Sequence, residues 1–527
     1  MKEYSLGIGI VELRPAWKSL LMQLGLNFEE IRFSGELRPT DYAVIIVNRK
    51  PSPAEQETLA SYIDQGGSLL DTGFLAAPFF AKTPQPTFTR TLFPFLENNL
   101  FKHIDLIDIF STTFTIREAP LLAGNAFFER RGYGHYGFLG FEVDKLLLDS
   151  RAMQKEFYLE TESRPLPSER VARVSRGGIV KVIGAMLESL FYRRELPFIF
   201  KWHFPSGYQN IFAFRVDTDF SSKEQIQAYY QVARRHNMRM SWFLHVEAHQ
   251  KWLGDFHHLR DQEYAVHCFR HHTYEDYAQN AANLARAREL MEAERLPFEG
   301  FAAPYGIWNN GLDRAIREAR FLYSSEFSLA YDTLPFYPVV DNQLSPVLQL
   351  PVHPISVGTL KRARVSSAEM ARYLRRQVNI KIANSDPLLF YDHPNHDFPE
   401  VPDALFTYIR HLRVPNVNFS TFARYWRKRD RSRFKAVLAG NELLLDSDDI
   451  DPAVQFMVYR DWDHQALLPQ TGAYPLNRTA WEERKRALWS REAAKAGRQT
   501  LRLRKQSWLN RYWRYKNLRK QETESSE

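Results

Sequence analysis

The segment 211–220, IFAFRVDTDF, alternates apolar residues with Arg215, Asp217 and Asp219. On an extended strand alternate side chains share a face, so these three charges face one way and Phe212, Phe214 and Val216 the other. Charges on the inner face of an apolar strand are costly unless they pair or bind a metal. Downstream, VHCFRHHTY spaces His267 and His271 four residues apart. One turn of helix, or a tight loop, then puts both rings on one side. Two imidazoles and a carboxylate form a facial set suited to zinc or another divalent first-row ion, leaving positions for water. His272 is an alternative second imidazole. In GFAAPYGIWN the Pro304-Tyr305-Gly306 turn is a way to aim a backbone N–H into a cavity, and Pro304 and Trp308 are candidate substrate contacts. In PLLFYDHP, His393 stands at a strand end beside Asp392.

The elements that must position these residues repeat. Strands are expected at 211–217, 240–246, 263–268, 299–304, 321–326, 347–353 and 387–392, with VNFSTF (417–422) closing the series. Helical stretches at 222–236, 274–294, 312–320 and 367–382 alternate with them. So many strand–helix units suggest a TIM-like barrel, in which function gathers at the C-terminal strand ends. The polar motifs fall there.

In that order the motifs resemble the polysaccharide deacetylase family (carbohydrate esterase family four, NodB-homology domain). The resemblance covers about 215 of the 527 residues. It implies a deformed (β/α) barrel of about seven strands and metal-dependent removal of an N-acetyl or similar acyl group from an amino sugar. By order, Asp217 then matches the general base, Asp219, His267 and His271 the metal ligands, with exchange of the two aspartates as the alternative, and His393 the acid for the departing amine. The Tyr305 N–H shares the oxyanion with the ion, most often zinc, with cobalt, nickel or manganese as substitutes. Two departures stand out. Thr218 separates two carboxylates that are adjacent in the family, and Ala302 occupies the position of the arginine that charges and orients the base. Arg215, on the same strand face as Asp217, is the expected replacement. Asp332 is the nearest candidate for the family's acidic-plus-tryptophan motif.

Upstream, residues 4–10, 42–48 and 68–74 read as strands, separated by helices at 15–26 and 53–65, the latter capped by Ser52. This pattern indicates a flavodoxin-type parallel sheet. The phrase LASYIDQGGSLLDTG resembles glutamine-amidotransferase-like domains, whose cysteine nucleophile is missing here. The expected organisation is an α/β domain over 1–200, the barrel over 205–428, a small strand-rich module over 433–475 and a basic helical tail over 479–521.

The single cysteine, Cys268, excludes an internal disulfide and a four-thiolate zinc site. A net charge of +8 conceals an uneven distribution, because 478–520 holds fifteen Lys/Arg against three Glu. Four tryptophans lie within that stretch, at 481, 489, 508 and 513. Cations with interfacial aromatics suit an anionic membrane face better than nucleic acid. The start of the chain lacks a basic region followed by an apolar one, and a cytoplasmic protein, peripheral on the inner membrane face, is expected. Its partner would be a glycan or lipid-linked amino sugar. The competing expectation is a catalytically silent glycan-binding or scaffold protein that keeps the barrel.

Overall fold

The computed structural model describes residues 2–94, 99–101, 104, 106–159, 164–484 and 512. These divide into two compact units, the first containing 2–149, 174–207 and 425–484, the second 150–173 and 208–424.

In the first unit, short apolar runs form a parallel sheet in the order 28–30, 8–10, 44–47, 68–71 and 134–139, the 2-1-3-4-5 order of flavodoxin-type folds. The strand Ala126–Arg131 adds an antiparallel edge. Val44–Val47 and Ser68–Asp71 are buried throughout, as strands covered on both faces must be. The helix Pro53–Asp64 starts at Ser52 through a complete capping box with Glu55.

The second unit is built on seven parallel strands: β1 (Phe212–Asp217), β2 (Met240–Leu244), β3 (Glu263–Val266), β4 (Phe298–Phe301), β5 (Tyr323–Ser324), β6 (Leu348–Gln349) and β7 (Leu388–Asp392). Their order is 6-5-4-3-2-1-7, all pairs parallel. The curled sheet nearly meets itself, since the His353 N–H beyond β6 donates to the Leu389 carbonyl on β7 at 2.9 Å. Helices Lys223–His236, Tyr277–Ala293, Asn310–Glu318 and Ser367–Ala383 each begin at a side-chain cap, from Ser222, Asp276, Asn309 and Ser366. The mixed α/β architecture with a deformed barrel is thus as the repeat suggested.

Three expectations need correction. The segment 417–422 does not close the sheet as a strand. Asn418 accepts from the Thr421 N–H at 3.0 Å, and a helix, Phe419–Arg431, begins there. Residues 433–475 are not a separate module. Lys435–Ala439 pairs with Glu3–Ser5, and Phe456–Tyr459 with Phe198–Lys201, so both antiparallel sheets belong to the first unit. Nor does the first domain run unbroken to 200, because 150–173 belongs with the barrel. The expected tail helix lies mostly outside the described residues. Where it is described, Glu482–Glu483 is a strand paired with His464–Gln465, and Arg484 forms an ion pair with Glu188. Among the described residues no helix is long and apolar enough to cross a membrane.

Within the first unit, the fully buried Arg429 donates to the carbonyls of Met22, Gln23, Lys201 and Trp202 and pairs with Asp430 at 2.9 Å. A Cβ at Gly25 (φ +76°) would collide with this guanidinium, which is why the helix Pro15–Leu24 ends on glycine. Arg429→Met removes those hydrogen bonds and takes the ion-pair partner from the buried Asp430 carboxylate. Urea unfolding of the variant is expected to show a loss of roughly 3–5 kcal/mol. A change below about 1 kcal/mol would contradict the keystone role.

Candidate active site

The polar motifs converge at the C-terminal ends of β1, β3, β4 and β7. Three of the turns there hold a non-glycine residue in the left-handed region: Asp219 (φ +39°), Cys268 (φ +67°) and Tyr305 (φ +58°). Each costs of order 1–3 kcal/mol and persists only where its surroundings over-determine it. The Asp219 carbonyl is held by His245 Nδ1 at 2.8 Å, and the Cys268 carbonyl accepts from the Val246 N–H at 3.1 Å. Strain at the site is therefore anchored by the β2 loop.

Asp219 Oδ1 lies 3.1 Å from His271 Nε2 and 3.3 Å from His267 Nε2. Ligand atoms about 2.0–2.1 Å from a tetrahedrally coordinated zinc ion stand about 3.3 Å apart, so the spacing fits such an ion. His267 Nδ1 is 2.7 Å from the Ala302 carbonyl, which fixes the proton there and leaves Nε2 as the lone-pair donor. Burial raises the Asp219 carboxyl, but His271 and His393 more than reverse this and hold it well below the usual range. An anionic carboxylate with two imidazole nitrogens is a donor set for a divalent cation. His272 is not part of it, since its ring packs on Tyr274.

Asp217 is held differently. Arg215 Nε donates to Oδ1 at 2.6 Å and Nη2 to Oδ2 at 2.5 Å, a bidentate fork between fully buried partners. The guanidinium also donates to the Ser325 carbonyl at 2.5 Å and sits by the rings of Phe243 and Tyr391, at 5.1 and 5.4 Å. Burial pushes Asp217 up, yet Arg215 and then His267 bring it below the ordinary value. Ala302 is itself buried, so the cation beside Asp217 comes from β1 and not from the turn after β4.

His393 Nε2 lies 3.8 Å from Asp217 Oδ2 and 3.6 Å from Asp219 Oδ2. Burial lowers its pKa, opposed by Asp219. Asp392 points elsewhere, accepting from Tyr229 Oη at 2.6 Å and paired with His396 at 2.8 Å. Asp332 does not serve His393 either, because its carboxylate is committed to His353 (2.9 Å) and Lys381 (2.7 Å).

These groups open on one cavity of about 470 Å³. Asp217, Asp219, His267, His271, Tyr305 and His393 all line it, whereas Pro304 and Trp308 do not. Trp308 is buried, and its backbone N–H donates to Ser328 Oγ at 2.8 Å. Where contacts at 304 and 308 were expected, the cavity is lined by Gly306, Phe327 and Tyr391. The remaining lining comes from Gln154, Ser168, Glu169 and Arg170, with Ser356, Thr359, Arg362 and His396. None of these carries a sequence motif except His396, whose His-x-x-His spacing from His393 was available to find it.

Glu326, beyond β5, is fully buried and was also missed. Its Oε1 accepts from the Ala303 N–H at 3.1 Å, next to the carbonyl that orients His267, and Oε2 accepts from Ser324 Oγ at 2.8 Å.

No family model and no curated protein matches the chain. Among solved structures, it is similar to a protein described as a polysaccharide deacetylase from Mycobacterium smegmatis, at 17% identity and TM-score 0.37, covering 44% of this chain and 94% of that one. An allantoinase is similar at 16% identity and TM-score 0.37, over 43% of this chain and 92% of its own. A CE4 family pseudoenzyme from Bacillus anthracis is similar at 11% identity and TM-score 0.31, over 41% and 66%.

Burial pushes the Glu326 carboxyl up to about 7, so it keeps its proton in the folded state where the unfolded chain has lost it, above about 4.3. Between those pH values the folded state binds more protons, and stability falls as pH rises. Relative to wild type, Glu326→Gln is expected to gain roughly 2–3 kcal/mol between pH 5 and pH 8 in urea unfolding. The same difference at both pH values would contradict this.

Proposed function

We propose that the barrel unit is a metal-dependent amidohydrolase that removes an acetyl or similar acyl group from the nitrogen of an amino sugar. The observation that carries the reading is the buried fork of Arg215 on Asp217, set in one cavity with the Asp219–His267–His271 donor set and His393. A divalent ion bound by Asp219, His267 and His271 would polarise the amide carbonyl and acidify a water molecule.

The residues of the chain supply the rest. Asp217, kept ionised by Arg215, takes the proton of the attacking water as its oxygen bonds to the carbonyl carbon. Because both Asp217 oxygens are fixed by the fork, the base arrives without rotamer search, which is what arginine from the β4 turn does in the family the motifs resemble. The Tyr305 backbone N–H meets the developing oxyanion. His393, on the rim, passes a proton to the nitrogen as the carbon–nitrogen bond breaks, giving a carboxylic acid and a free amine. The basic segment 479–521 supports contact with an anionic lipid surface, and with it a lipid-linked substrate. Equal liposome co-sedimentation with and without residues 485–527 would remove that contact.

Purified protein is expected to carry stoichiometric divalent metal, lost in His267→Ala and kept in Asp217→Asn and Arg215→Ala. Acetate release from N-acetylated sugars is expected to fall about 10²–10⁴-fold in Asp217→Asn, with Arg215→Ala losing most activity too. A metal-loaded wild type that releases no acyl group from any N-acylated sugar would favour the silent glycan-binding reading instead. Undiminished turnover in Arg215→Ala would contradict the part assigned to the fork.

A further inference from the structure

The cavity has a second wall that no barrel strand supplies. Ala152–Lys155 and Glu169–Ala172 form an antiparallel hairpin, with Gln154 opposite Arg170. It is firmly placed on the barrel. The Ala172 N–H donates to the Phe327 carbonyl at 3.0 Å, and Leu159 and Leu166 enter the barrel core. Glu169 Oε1 accepts from Thr359 Oγ1 and Arg362 Nη2, both at 2.5 Å.

Three polar groups on this wall have bonding capacity left over. Gln154 is 5% exposed and neither its amide nitrogen nor its oxygen has a partner among the described residues. Ser168 is 8% exposed, and its hydroxyl has none either. Glu169 Oε2 receives no hydrogen bond among the described residues, both donors being on Oε1. Buried side-chain polar atoms are nearly always partnered, and the orphaned Gln154 amide and Ser168 hydroxyl on one cavity wall indicate a ligand that partners them. The carboxamide offers donors and an acceptor, the hydroxyl one of each and the carboxylate an acceptor. That mixed set fits neither an apolar group nor a purely anionic one. It fits a ring carrying several hydroxyls.

We propose that the paired strands Ala152–Lys155 and Glu169–Ala172, with Ser168, form a sugar-reading subsite in which Gln154, Ser168 and Glu169 bond the hydroxyls of the ring that bears the scissile amide. A cavity of about 470 Å³ is in the range of small-ligand sites and has room for such a ring. The subsite deepens the amidohydrolase reading and rests on it for the reaction, but binding is measurable without turnover.

The test uses the full chain loaded with zinc, titrated calorimetrically with N-acetylglucosamine and, as a probe without hydroxyls, N-ethylacetamide. Wild type is expected to bind the sugar more tightly than N-ethylacetamide. The double variant Gln154→Leu/Ser168→Ala and the single variant Glu169→Gln are each expected to weaken sugar binding at least 10-fold, with zinc content unchanged. The double variant should melt no lower than wild type, because it removes orphaned polar groups and not a structural network. Unchanged sugar affinity in the double variant overturns the proposal, as does a wild type that does not prefer the sugar. Sugar binding lost in the variants, in a wild type that releases no acetate, keeps the subsite and sinks the amidohydrolase reading. Acetate release from N-acetylglucosamine equal in wild type and double variant sinks the subsite alone.

Discussion

The barrel unit depends on one buried charge. Arg215 has no solvent contact, and a guanidinium in that position is tolerable only because every side of it is occupied. Asp217 from its own strand takes two of its donors, the Ser325 carbonyl beyond β5 takes a third, and Phe243 on β2 and Tyr391 on β7 flank it with π-faces. One side chain therefore fixes relations among β1, β2, β5 and β7, and the same fork sets the charge and orientation of Asp217, the proposed base. Structural and chemical demands coincide in it.

The rest of the site is arranged around that fork by strained turns. Asp219, two residues after Asp217, adopts positive φ, which brings its carboxylate to the two imidazoles while Asp217 stays with Arg215. Thr218 contributes by bonding the Phe243 carbonyl through its hydroxyl at 3.1 Å and receiving the His245 N–H at 3.0 Å. The residue that interrupts the carboxylate pair is thus a strut between β1 and the β2 loop. Separate environments give two chemically similar carboxylates different tasks.

Much of this was legible in the sequence because it is local. Strand alternation around Phe212, Phe214 and Val216 fixed the inward face of Arg215, and the Ser52 cap marked the start of a helix. What could not be read was non-local. The pairing of Glu3–Ser5 with Lys435–Ala439 spans most of the chain, and no local signal announces it. The hairpin wall carries no motif, since an orphaned Gln154 or Ser168 becomes conspicuous only once a cavity surrounds it. VNFSTF misled because its alternation was too short to outweigh an Asn418 cap. Trp308, expected as a substrate contact, is instead buried, where aromatic size serves the interior.

The central claim is a division of labour: Asp219 with the two histidines holds the ion, and Asp217 stays in the Arg215 fork as the base. Anomalous diffraction at the zinc edge from zinc-soaked crystals tests it most directly. The account predicts one strong peak within about 2.0–2.2 Å of Asp219, His267 and His271, with Asp217 still paired to Arg215. A peak on Asp217 with Asp219 turned away, or none at these residues, would contradict it.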